Sequence, residues 1–568
     1  MKEQVRTLAM LSNLIGLLMI LVTRASAVQI PKHELDNRHW FALAERDLQV
    51  AKNRRHIDHV AKNVILFIGD GMSLSTVTAA RIHKGQLRGD PGEESRLVFE
   101  DFPNVALSKT YNVDHQVSDS AATATAFLCG VKAQYGTIGV GPRAKRGDCP
   151  GSKIHKMKCL AEVAQDAGMR TGVVTTSRVT HATPAPLYAY SADREWEADS
   201  LQPEQARRYR CPDIASQLTD HVGRSMNVVL GGGRKSMLPI TESDPEYAHK
   251  VGLRMDGRNI INEWLSDKDS DRARYVWNRR QFKNIDPERT DYLIGLFEHS
   301  HMNYEGDRLN DTAGEPSLAE MTQKAVEILD RGSHGYFLLV EAARIDHAHH
   351  ENTAHRALEE TLALDQAVSR VLDLVDLDNT LIIVTSDHSH PLTIGSYATR
   401  GNPILGLTDY SNEVTRDHLS DVDFKPHTTL SYANGPGYDP SKPRKDLTHT
   451  DTKSRHYRQV TSVPLQIVTH DGTDVPIYSR GPMSHLLHST HEQHYIYHVI
   501  TYAACLGSYR GERHCNDHVY AKYTNTQAYL RGYHLTSDAT ASYPLQNLFR
   551  HVLLDIFILL SIISISSR

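Results

Sequence analysis

Four continuous apolar runs along the chain each end in side chains able to bind metals. Asn63–Ile68 (NVILFI) runs into Gly69-Asp70-Gly71, and Thr171–Thr176 (TGVVTT) into SRVTHATPA, which carries His181 and Thr183. Tyr336–Val340 (YFLLV) is followed by Glu341, and Leu381–Val384 (LIIV) by TSDHSH, with Asp387, His388 and His390. Unbroken apolar runs alternating with helical patterns such as Ser75–Lys84 (STVTAARIHK) predict strands of a parallel sheet buried on both faces. The expected fold class is therefore α/β, with a large central, mostly parallel sheet flanked by helices. Sites in open sheets assemble at the carboxyl ends of the strands, so the four runs are expected to converge on one cluster.

The spacing within Val340–His350 (VEAARIDHAHH) refines this. A helix beginning after Glu341 places Asp346 and His350, four apart, on one face, while His347 and His349 point elsewhere. Glu341, at the strand end, then serves a different ion. A mixed carboxylate and imidazole set suits zinc, and an oxygen-only set of Asp, Thr and Glu suits magnesium. A nucleophile is offered by Val117–Ala126 (VSDSAATATA), where Ser120 opens an Ala-rich helical stretch and gains from the helix dipole. Read alone, Ser120 is equally an ordinary N-cap serine.

Composition and the chain ends add context. The 568 residues can bury a large core, and a net charge of -5 gives no basic footprint for nucleic acid. The 33 histidines raise the expectation of metal chemistry without locating it. Lys2 and Arg6, the apolar Leu8–Val22 and the small-residue Ala25-Ser26-Ala27 form a secretory signal over residues 1–27. Val552–Ser566 is too short, and with Asp555 too polar, for a membrane span of about 20 residues. Preceded by the small residues Ser537–Thr540 and a polar spacer, it fits a GPI-anchor signal attached near Asp538, a membrane helix being the alternative.

Six cysteines in a secreted chain allow fifteen complete pairings. Cys505 and Cys515 are close enough to close a small loop, whereas Cys129 and Cys159 lie in helical runs and read as buried thiols. That leaves Cys149 with Cys211, a loop worth roughly 4 kcal/mol in the chain-entropy model. Asn310-Asp311-Thr312 is a glycosylation sequon. Trp40, Leu43, Ala44, Leu48 and Ala51 form an apolar stripe on an N-terminal helix, suited to packing on its own core or on a second copy.

Six motifs, in order, carry a resemblance: NVILFIGDGM, SDSAATATAFLCGVKA, TTSRVTHATPA, VEAARIDHAHH, VTSDHSH and THDGTDVPIYSRGP. From about Asn63 to Cys515 the chain resembles the animal, membrane-anchored alkaline phosphatases. The resemblance implies hydrolysis of small phosphate monoesters through a phosphoserine at Ser120, with two zinc ions and one magnesium. It implies Asp346, His350 and His470 at one zinc, and Asp70, Asp387 and His388, joined by Ser120, at the other. Asp70, Thr183 and Glu341 match the magnesium position with His181 beside it, Arg194 matches the phosphate clamp, and His390 is a near neighbour outside the ligand set.

The same resemblance implies calcium at Glu246, the Phe297 carbonyl, Glu298 and Glu315, the last standing where the family has Asp. Ser73 and Ala122 replace family glycines. The implied organisation is a helical arm over 28–60, a catalytic domain over 61–538 with a crown-like insertion at about 396–468, and a propeptide over 539–568. A GPI-anchored homodimer at the outer face of the plasma membrane completes the expectation.

Overall fold

A computed structural model of the chain describes residues 32–410 and 418–516. The signal segment, the Asp538 attachment point and the C-terminal tail lie outside the described residues. Thirteen strands are described. They are β1 (Asn63–Gly69), β2 (Asn104–Lys109), β3 (Arg170–Arg178), β4 (Val228–Gly232), β5 (Ala273–Val276), β6 (Tyr292–Leu296) and β7 (Tyr336–Ala342). They continue with β8 (Thr380–Thr385), β9 (Leu392–Ile394), β10 (Leu430–Gly435), β11 (Thr461–Pro464), β12 (Val475–Arg480) and β13 (Ser489–Glu492).

Ten strands form one sheet in the order β13-β2-β12-β8-β1-β7-β3-β4-β6-β5. Every pairing is parallel except those of β12 with β2 and β8. The four apolar runs of the sequence are its adjacent strands β8, β1, β7 and β3. All residues of β1, β7 and β8 are buried, as expected for strands covered by helices on both faces. Pairing of Ile68 with both Glu341 and Thr385, and of Glu341 with Thr175, brings the four carboxyl ends level.

Strands β9, β10 and β11 form a separate small sheet contributed by residues 392–464. Its exit leads to Val468, whose N–H donates to the His350 carbonyl at 3.1 Å. The N-terminal helix Asn37–Lys52 buries none of its residues, so its apolar stripe does not pack on this core.

The cysteines depart from expectation at one pair. Cys149 is bonded to Cys211, but Cys129 and Cys159 are also joined rather than being buried thiols. Cys129 ends the helix Ser120–Cys129 and Cys159 caps the helix Leu160–Gln165, so two buried helix ends meet in a contact that the separate runs do not announce. Cys505 and Cys515 are both disulfide-bonded as well.

Candidate metal centre

Each turn that leaves the central strands aims a ligand-bearing side chain at one point. After β1 the chain bends at Gly71 with a positive φ of 70°, where a Cβ would lie 2.6 Å from His390 Cδ2. Glycine therefore meets both a conformational and a steric demand there. Its N–H donates to Asp387 Oδ1 at 3.0 Å, tying the β1 and β8 turns together. Ser73 then caps the helix Leu74–Leu87 by accepting from Thr76 N at 3.0 Å.

The helix Arg344–His350 follows β7, as the spacing predicts, and sets His350 Nε2 3.3 Å from Asp346 Oδ1. His470 Nε2 lies 3.4 Å from the same oxygen and 3.1 Å from His350 Nε2. Both imidazoles direct Nδ1 at backbone carbonyls, His350 to Val468 at 2.5 Å and His470 to Ser118 at 2.7 Å. A carbonyl only accepts, so each Nδ1 carries the proton and each neutral Nε2 is a bare lone pair. Two lone pairs and a carboxylate oxygen crowded together require a cation between them. Burial works against a charge on His470, yet Asp346 outweighs it and raises the His470 pKa, so a proton serves that function when no metal does.

The second group gathers around His388, with Nε2 3.1 Å from Asp387 Oδ2, 3.5 Å from Asp70 Oδ1 and 3.1 Å from Ser120 Oγ. Ser120 is the first residue of its helix rather than its cap. Asp119 is the N-cap, accepting from Ala121 N and Ala122 N, which leaves the serine hydroxyl free to face His388. Asp119 also accepts from Arg194 Nη1 at 3.1 Å, and Arg194 Nη2 stands 3.4 Å from His181 Nε2. Asp119 thus aims the guanidinium, a role the sequence motif contains but does not reveal.

The third group is Asp70, Thr183 and Glu341. Both Asp70 oxygens, Thr183 Oγ1, Glu341 Oε1 and His181 Nδ1 are buried without a hydrogen-bond partner. Such orphans are costly unless something outside the protein satisfies them. Glu341 Oε2 accepts from Thr175 and, at 3.2 Å, from Ser177 Oγ, two orienting residues that sequence reading passed over inside β3. Burial, then the charges of Asp387, Asp346 and Glu341, drive the Asp70 carboxyl well above its ordinary range. Burial likewise pushes Glu341 up to about 7 and Asp387 to about 6. A set of carboxylates this poorly neutralised fits divalent cations.

His390, expected just outside the ligand set, places Nε2 2.6 Å from Asp346 Oδ1 and joins the first group geometrically. His347, which spacing sends elsewhere, clusters with His181 and His301. Arginine occupies the lone pairs of two of these rings: Arg344 Nη1 donates to His347 Nδ1 at 3.0 Å and Arg178 Nη1 contacts His301 Nε2. That cluster is therefore already filled by fixed cations.

In the loop-borne acidic group, Glu246 Oε2 accepts from Arg234 Nη2 at 2.5 Å. Glu298 Oε1 accepts from Tyr247 OH at 2.6 Å, and Glu315 from Asn303 N at 3.0 Å. Phe297 is buried beside them. Burial, and then the Glu298 charge, push Glu315 up to about 9. Asp311, with Oδ2 buried and unpartnered, presses on the same group and was not singled out from the sequence.

The family profile described as alkaline phosphatase matches residues 61–506. The human tissue-nonspecific alkaline phosphatase isozyme is 46% identical over 492 residues, 86% of this chain and 91% of that protein. The alkaline phosphatase of Gadus morhua is 44% identical, covering 84% of this chain and 99% of the relative. The chain belongs to the alkaline phosphatase family. It is an enzyme, a phosphomonoester hydrolase. Alkaline phosphatases from Thermus thermophilus (TM-score 0.55, 23% identity, 80% of this chain and 93% of that one) and the Antarctic bacterium TAB5 (0.53, 22%, 79% and 99%) share the fold.

Proposed function

We propose that this phosphomonoesterase works through a phosphoserine on Ser120 at a site for two zinc ions and one magnesium. Asp346, His350 and His470 would hold one zinc; Asp70, Asp387 and His388, with Ser120, the other; and Asp70, Thr183 and Glu341, with His181 adjacent, the magnesium. The observation that carries this reading is the meeting of His350 Nε2, His470 Nε2 and Asp346 Oδ1 within 3.4 Å, with both Nδ1 protons committed elsewhere. Bound, the ions supply Lewis-acid charge at the attacking and leaving oxygens.

Ser120 Oγ attacks the phosphorus in line and the ester alcohol departs. Water then cleaves the bond from Ser120 Oγ to phosphorus, returning the serine and inorganic phosphate. Arg194, steadied by Asp119 and only 17% exposed, offers a planar fork to two phosphoryl oxygens. Because the groups are fixed before substrate arrives, most of the rate gain is electrostatic. Mass spectrometry of acid-quenched enzyme tests the nucleophile. Ser120→Ala should yield no phosphopeptide and lose roughly 10³-fold or more in turnover, as nucleophile deletions do. A phosphopeptide that survives in the variant would end the assignment.

The wider reading adds calcium at Glu246, the Phe297 carbonyl, Glu298 and Glu315, supported by their convergence. Six disulfide-bonded cysteines support passage through an oxidising compartment after removal of residues 1–27. Among the described residues no helix is long and apolar enough to cross a membrane. Attachment of a GPI lipid at Asp538, with loss of 539–568, would hold the catalytic domain at the outer face of the plasma membrane. A phosphatidylinositol-specific phospholipase should then release activity from cells, and tail peptides recovered from mature protein would contradict it. Asn310 lies on an exposed turn suited to glycosylation. The exposed Trp40 and Leu48 on the arm of residues 28–60 support a homodimer, as does an exposed Phe41. A crown-like insertion at about 396–468 is supported by the small sheet of β9, β10 and β11.

A further inference from the structure

Between the bridge that pairs Val140 with Lys156 and the helix Cys149–Ile154, the chain makes a loop reading Gly141-Pro142-Arg143-Ala144-Lys145-Arg146-Gly147-Asp148. Its base is fixed: Gly141 N donates to the His155 carbonyl at 2.8 Å, Asp148 caps the helix and Cys149 is bonded to Cys211. Its crest is open. Arg143, Lys145, Arg146, Gly147 and Asp148 are exposed and only Ala144 turns inward, while a Cβ built on Gly147 would meet no atom within 4 Å.

Of the three basic side chains, only Arg146 has a partner, donating from Nε and Nη2 to the two Asp193 carboxylate oxygens at 3.0 Å each. Arg143 and Lys145 make no ion pair or side-chain hydrogen bond among the described residues. A basic run is ordinarily just a solvated face, but here the order is Arg-x-Lys-Arg followed by an open glycine. Endoproteases that read basic runs seat each cation against carboxylates at the spacing of an extended chain, and nicking concentrates at exposed loop tips with small residues. Extending this loop requires opening two turn bonds, Ala144 N to the Gly141 carbonyl and Asp148 N to that of Lys145, and one tie, Gly147 N to the Ala192 carbonyl, each at 3.0 Å. All three are local, so the base need not unfold. Cys129 precedes the loop and Cys159 follows it, so their disulfide would keep the two halves joined after a cut.

We propose that Arg143-Ala144-Lys145-Arg146 is a processing site for a basic-residue-specific serine endoprotease of the secretory route. Water cleaves the Arg146–Gly147 peptide bond, Arg146 gaining a carboxylate and Gly147 an amino group, and no other bond changes. The product is two chains linked through Cys129 and Cys159. The cut also releases the ties of Gly147 and Arg146 to Ala192 and Asp193, the two residues before Arg194, so phosphate is held less firmly. The site rests on the secretory reading, and this consequence on Arg194 as the phosphate clamp.

The full-length chain is expressed in animal cells, with and without an arginyl peptide chloromethyl ketone that blocks such proteases, beside the double variant Arg143→Gln, Lys145→Gln. That variant spares the Arg146–Asp193 pair and every catalytic group. Wild type recovered from the cell surface or medium should run as one species unreduced and as two when reduced, with Gly147 as a second amino terminus. Inhibitor, or the double substitution, should leave a single chain. Phosphate should inhibit the two-chain form about threefold less well than the single-chain variant, the scale of one exposed ion pair lost. Wild type that reaches the surface as one chain, or that is cut only elsewhere, such as after the exposed Arg54-Arg55 pair, would overturn the site. Equal inhibition would overturn the link to Arg194, and a chain found only inside the cell would overturn the secretory reading itself.

Discussion

Two acidic regions of this enzyme face the same electrostatic problem and meet it differently. At the strand ends, Asp70, Glu341, Asp346 and Asp387 are buried together, and several of their oxygens meet no donor. In the loop group, Glu246 leans on Arg234, Glu298 on Tyr247 and a backbone N–H, and Glu315 on Asn303 N. The first region is left incomplete by its own chain and needs cations to function. The second is largely satisfied by the chain, and where it is not, a proton on Glu315 removes the excess charge. On the proposed reading, an ion at the first would be a reactant's partner, and at the second a replacement for protons.

The sharpest test of that difference deletes one ligand from each region. His470→Ala removes one of the two facing lone pairs and should lower kcat/KM by about 10³-fold, the scale seen when an electrostatic catalytic element is lost. Glu315→Gln should stay within about twofold under the same zinc and magnesium. Steady-state kinetics with a nitrophenyl monoester reads both, and comparable losses would erase the distinction.

A smaller effect is expected at the phosphate clamp. Arg194→Lys keeps the charge but loses the planar fork held by Asp119, so kcat/KM should fall about 10- to 100-fold. Phosphate, which the proposed clamp would grip through the same group, should weaken as an inhibitor in parallel. An unchanged inhibition constant would remove Arg194 from the clamp.

The smallest effect concerns stability and pH. Glu315 is raised from 4.5 to about 9 in the folded chain, so the folded state holds its proton more tightly than the unfolded one. That contribution is complete below about pH 4.5 and is lost as pH rises toward 9. In chelator, the Tm of wild type should therefore drop by a few degrees between pH 6 and 9 relative to Glu315→Gln. Calcium should restore wild type and leave the variant little changed. Parallel melting profiles for the two would contradict the proton-for-ion exchange.

The central strands and their ligand-bearing ends were legible because both signals are local. A strand buried on both faces must be apolar throughout, and a parallel sheet must put its functional turns at one edge. The four-residue spacing of Asp346 and His350 was equally local, since one helical turn sets it. Contacts between distant segments were not legible. Nothing in the runs around Cys129 and Cys159 says that two helix ends abut. Likewise, only the fold shows that Asp119 rather than Ser120 caps the helix and that Thr175 and Ser177 orient Glu341.

By itself, then, the sequence determined the strands, the candidate ligand side chains at their ends and the family motifs, all of which follow from side-chain chemistry and short-range periodicity. The tertiary structure decided which lone pairs meet without a proton between them, which acids arginine or tyrosine already satisfies, and which apolar stripe stays uncovered. Those outcomes depend on distances between segments remote in sequence, such as His350 and His470, 120 residues apart, and backbone packing alone sets such distances.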